Sequence, residues 1–158
     1  MNYLFVLFLL ILSACGQEKS PSSPNIPQSL SYEVPEDVDL IVKLFIQEAL
    51  DRGINLSSNN LNVRFESNLG FSGSITYYGL CKKENGVPTI ILDSFFWNYT
   101  ASPILKEMLI FHELGHCWIH RGHENSKLSL MDATVIGEVN SYNYLTFRKE
   151  VLDELFNE

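Results

Sequence analysis

The stretch from Ser102 to Trp118 restricts the fold more than any other part of the chain. Ser102 followed by Pro103 opens a helix, because the serine oxygen can cap free backbone N–H groups and proline suits the first turn. Ile104, Leu105, Met108, Leu109, Ile110 and Phe111 then make that helix apolar on nearly every side. Such a helix belongs inside a domain rather than on its surface. His112, Glu113 and His116 occur in the same helix, so three polar side chains are carried into the interior.

The surrounding segments supply what such a helix needs around it. A helix is expected over about 36–52, with Val38, Ile41, Phe45 and Ala49 at helical spacing and Gly53 placed to end it. Leu61, Val63 and Phe65 alternate with Asn62, Arg64 and Glu66, the pattern of a half-buried strand. Further strands over about 74–82 and 89–92 flank Asn85 and Gly86, a good hairpin signal. A last helix over about 141–156 would place Leu145, Val151, Leu152 and Leu155 near one face. The fold class is therefore α+β: an N-terminal helix, a small mixed sheet with an antiparallel hairpin, the buried helix, a turn and a C-terminal helix. Phe95, Phe96, Trp97 and Trp118 read as core packing.

With 158 residues, 46% of them hydrophobic, the chain has room for one domain of ordinary size. A net charge of -8 and the absence of a basic face argue against nucleic-acid binding. Residues 1–14 carry no charged side chain and are almost wholly apolar, too short for a span of about 20 residues but suited to an export signal. Leu12, Ser13, Ala14 and Cys15, followed by Gly16, resemble the lipobox at which bacterial lipoprotein precursors are cut and acylated. That resemblance implies a lipid on Cys15, a membrane anchor, and a place in the bacterial cell envelope facing the periplasm or the exterior. Residues 15–35 are rich in Ser, Pro, Gln and Asn and read as a flexible tether, leaving 36–158 as the domain. Once Cys15 is assigned to the anchor, Cys81 and Cys117 remain as an even pair, open to a disulfide in an oxidising compartment.

On a helix, residues four apart share a face about 6 Å apart along the axis, so His112 and His116 can present nitrogens to one ion, Zn2+ by ligand type. Glu113 would sit beside that ion, placed to take a proton from water. All four histidines, His112, His116, His120 and His123, fall in this one segment. For a third ligand His120, His123 and Glu138 compete. His120 would lie about 12 Å along an unbroken helix from His112, too far to share an ion. His123 serves if the chain leaves the helix after His116 and folds back, with Gly122 as the turning point. Glu138 would have to come from a following helix.

HELGHCWIHRGH followed by SLM resembles the metzincin zinc peptidases, whose pattern is HExxHxxGxxH with a downstream methionine turn. His123 stands one residue later than in that pattern, and Met131 matches the methionine. The resemblance implies a zinc-peptidase domain with His112, His116 and His123 on the metal, Glu113 as general base, and a peptide or protein substrate. With Glu138 as third ligand the site would instead resemble the gluzincins. A different class of function, a non-catalytic zinc-binding lipoprotein acting as a structural or interaction module, stays open beside the enzyme.

Overall fold

The computed structural model of the chain describes residues 32–56, 60–72, 75–125, 128–134 and 138–157. The expected signal segment, the tether up to residue 31 and the Cys15 anchor lie outside the described residues. No helix among the described residues is long and apolar enough to cross a membrane.

The described chain begins with a short strand β1 (Tyr32–Glu33) and enters helix α1 (Glu36–Asp51), with Val38, Val42, Phe45, Ile46 and Ala49 buried. Strand β2 (Leu61–Glu66) buries Leu61 and Val63, as its alternation requires. Two short strands, β3 (Phe71–Ser72) and β4 (Ile75–Thr76), pair with each other, and β5 (Gly79–Glu84) and β6 (Val87–Asp93) follow. The main sheet runs β1-β2-β6-β5, parallel except for the antiparallel pair β5 and β6. Asn85 and Gly86 join that pair with φ of 49° and 87°, the doubly positive turn whose twist matches a tight hairpin.

After a π-helical turn (Phe96–Thr100), helix α2 (Pro103–Trp118) starts with Ser102 Oγ accepting the Leu105 N–H. Every residue from Met108 to Gly115 is buried. The all-round apolar character of this helix finds its cause in its neighbours: it packs on β5 and β6 and also on α1. The ring of Phe45 in α1 meets Phe111 edge-on at 5.0 Å and lies beside Trp118 and Phe156. These rings form the centre of the core.

Three local expectations are corrected. The strand expected over 74–82 is divided: residues 75–76 pair with β3, and pairing with β6 begins only at Gly79. The single last helix is two, α3 (Glu138–Thr146) and α4 (Arg148–Phe156), broken at Phe147 (φ -120°, ψ 30°). Thr146 Oγ donates to the Tyr142 carbonyl beside the break, a side-chain bond that competes with helical geometry. The break removes Leu145 from the apolar face of α4, leaving it 58% exposed while Val151, Leu152 and Leu155 are buried. Phe95, expected in the core with Phe96 and Trp97, is 67% exposed; the other two are buried.

Candidate metal centre

Helix α2 ends at Trp118, and the next residues turn back over it. His120 takes the left-handed conformation (φ 59°), and the Arg121 N–H reaches the Gly115 carbonyl at 3.0 Å. Histidine is one of the few residues other than glycine that adopts this conformation with some frequency. The expected pivot, Gly122, does not have a positive φ, so the reversal is made two residues earlier. His120 is exposed, and the reversal carries His123 back toward the helix.

The imidazoles of His112 and His116 are each anchored at Nδ1. His112 Nδ1 lies 2.5 Å from the Leu130 carbonyl oxygen, and His116 Nδ1 lies 2.7 Å from that of Arg121. A carbonyl oxygen only accepts, so both Nδ1 atoms carry the proton and both Nε2 atoms of the neutral rings are bare. His116 Nε2 stands 3.1 Å from His112 Nε2 and 3.1 Å from His123 Nε2. All three ligand atoms lie within 4.8 Å of one another, with His112 buried, His116 half-buried and His123 exposed. Two bare nitrogens at that range repel unless a positive centre lies between them. Nitrogens about 2.0–2.1 Å from a tetrahedral ion stand about 3.3–3.4 Å from each other, close to the spacing found. The donor set therefore fits a metal ion, which these three histidines could hold. Glu138 is the first residue of α3, and its side chain lies outside the described residues.

Electrostatics favour ligation. Burial lowers the His112 pKa to about 4, against the hydrogen bond from its Nδ1 to the Leu130 carbonyl, which raises it. Burial likewise lowers His116. Both rings are neutral near pH 7, the form that binds metal. Glu113 is 4% exposed, and burial pushes its carboxyl up to about 8 against the Cys81 backbone N–H that donates to it. It has this position because residue 79 is glycine: a Cβ there would meet Glu113 Oε1 at 2.7 Å.

The segment of Ser129, Leu130 and Met131 supports the site from the other side. Met131 is 0% exposed, its N–H bonds Ser129 Oγ at 3.0 Å, and its carbonyl accepts the Glu124 N–H at 2.9 Å, next to His123. Its sulfur lies against Gly115, where a Cβ would meet it at 2.6 Å with Leu155 Cδ1 at 3.3 Å. Gly115→Ala is expected to cost about 1–3 kcal/mol through overpacking, at the lower end if the methionine swings aside. Urea unfolding measures this, and an unchanged midpoint would mean the contact carries no constraint.

Cys81 of β5 and Cys117 of α2 form a disulfide, with Cα atoms 5.7 Å apart. The bridge joins the edge strand to the histidine helix one residue after His116. His112, Glu113, His116, His123, Met131 and the cysteine pair are legible in the sequence as residues, whereas the backbone carbonyls of Leu130 and Arg121 and the clearance at Gly79 are not. Backbone groups carry no residue signature. The glycine inside HELGH was a readable sign that something packs closely on that turn. No family of known proteins, no curated protein and no solved structure matches this chain.

Proposed function

We propose that the chain is a zinc-dependent peptidase of metzincin-like type, held to the cell envelope through a lipid on Cys15. The reading is carried by the convergence of His112, His116 and His123 with two Nδ1 atoms already committed to carbonyl oxygens. Met131, buried against the turn between His112 and His116, supports the likeness to the metzincins. Zinc held by three imidazoles supplies Lewis acidity, lowers the pKa of water to about 7 and favours ionisation of the carboxyl next in the chain.

Glu113 takes one proton from the attacking water as its oxygen adds to the scissile carbonyl carbon. It returns the proton to the amine nitrogen as the C–N bond breaks. Burial of the carboxyl excludes competing solvent, and the Cys81 N–H holds its orientation. Strand β5 is an edge of the main sheet beside this residue, so an extended peptide is proposed to lie along it.

A second reading, a zinc-binding module without turnover, draws on the near-complete burial of Glu113 and its bond to the Cys81 backbone. The full chain, purified in detergent, separates the two by metal analysis and cleavage of a peptide library. About one zinc per chain and cleavage that stops on chelation and returns with zinc are expected. Stoichiometric zinc without cleavage would favour the module. No stoichiometric metal would remove both readings.

A further inference from the structure

Arg121 lies between His116 and His123 and is tied to both sides of the site. Its carbonyl accepts the His116 Nδ1–H at 2.7 Å. Its side chain, 12% exposed, reaches away from the histidines to the end of α4. There Nη1 donates to the carbonyls of Glu154 at 2.8 Å, Leu155 at 3.0 Å and Asn157 at 3.4 Å. The last carbonyls of a helix have no partner within it, so one guanidinium caps the C-terminal helix and meets its negative end. Nη2 donates to Glu154 Oε1 at 2.6 Å and also bonds Glu124 Oε1. Glu124 follows His123 and is itself held by the Met131 carbonyl.

We propose that Arg121 is the positioning residue of the metal centre, fixing the loop that carries His123 against the end of the C-terminal helix so that metal affinity depends on this one anchor. The inference rests on the metal reading above and goes beyond it in assigning control of the site to a residue that offers the ion no atom. The main-chain bond orients one ligand, and the side-chain fork sets the loop that brings in another. Loss of the fork leaves the His116 bond and the Glu124 main-chain bond to Met131 in place but releases the Glu124 side chain, and so removes one of the two holds on the residue next to His123, the exposed member of the trio. His123 has few other restraints: of the three histidines it alone lacks a backbone carbonyl among its described hydrogen bonds. Linkage works in both directions, so metal binding should tighten the Arg121 anchor between the loop and the end of α4 by the same factor.

Arg52 provides a matched control. It is also largely buried and holds the same helix, through Asp153 at 3.0 Å, but its partners lie on α1 and α4 rather than on the ligand loop. The test is cobalt(II) titration of the full chain in detergent after chelation, read by the visible absorption of the bound ion, with zinc affinity from competition. Arg121→Ala is expected to weaken affinity by about tenfold or more and to change the cobalt spectrum, the scale on which partners beyond the ligands act. Arg121→Lys, which keeps the charge without the fork, should recover part of the loss. Arg52→Ala, which loosens the same helix without touching the ligand loop, should stay within about twofold of the wild type. Glu154→Gln, a milder change that keeps the helix-end carbonyls, should weaken binding severalfold and covers the case in which Arg121→Ala fails to fold. Wild-type affinity in both Arg121→Ala and Glu154→Gln, or an equal loss in Arg52→Ala, would overturn the inference while leaving the metal reading intact. No cobalt uptake by the wild type would overturn both.

Discussion

Glu113→Gln is expected to lower peptide hydrolysis by about 100-fold or more while leaving bound zinc unchanged, the loss typical of removing a general base. That factor corresponds to about 2.7 kcal/mol of transition-state stabilisation. Glutamine has the shape of glutamate, so it fits the space left by Gly79 as the native side chain does. Its amide oxygen can still accept the Cys81 N–H. Burial already favours the neutral carboxyl, so a neutral amide adds no charge penalty to folding. None of the three Nε2 atoms is touched. The measurement is kcat/KM on a cleaved library peptide together with zinc content. Turnover within a few-fold of wild type would remove Glu113 from the mechanism, and loss of zinc would show that its part is to support the ligands.

The parts legible in the sequence are those governed by near neighbours. The Ser102 and Pro103 start of α2, the Asn85 and Gly86 turn and the apolar spacing of α1 each reflect the conformations of a few consecutive residues, and each is found where expected. Conformations decided at a distance were not legible. Strand β1 is two residues long and exists through pairing with β2, twenty-nine positions on in the register of Tyr32 with Leu61. The break at Phe147 follows from tertiary anchoring as much as from local bonds: Arg148 bonds Glu48 of α1 and Glu107 of α2, drawing α4 across both. The site divides in the same way. Residue types and their spacing bring out the histidines, whereas conformational freedom alone points to Gly122 for the reversal. It occurs at His120, where the Arg121 N–H and the Gly115 carbonyl meet and a side chain with some tolerance of positive φ is sufficient. The role of Arg121 has no sequence signal, because the α4 carbonyls it caps lie more than thirty residues away.

Removal of the Cys81–Cys117 disulfide is expected to destabilise the fold by about 4 kcal/mol, from the chain entropy released when a closed loop of this size is opened. The two residues are 36 apart in sequence, so the bridge restricts a long part of the unfolded chain. Their Cα separation of 5.7 Å is a usual one for a disulfide. For a domain of this size the loss corresponds to a fall in Tm on the order of 10–20 °C. The effect should extend to the site, because the bridge follows His116 on one side and the Cys81 N–H holds Glu113 on the other. Without it β5 keeps its pairing with β6 but loses its covalent hold on α2, and Glu113 loses a fixed partner. Cys81→Ala with Cys117→Ala measures the stability term by urea unfolding, and reduction of the wild type should reproduce it. Activity should fall by more than the unfolded fraction accounts for. A reduced protein of unchanged midpoint would show that hydrophobic packing of α2 on the sheet already holds the strand, and unchanged activity in the folded, bridge-free variant would separate the disulfide from the chemistry.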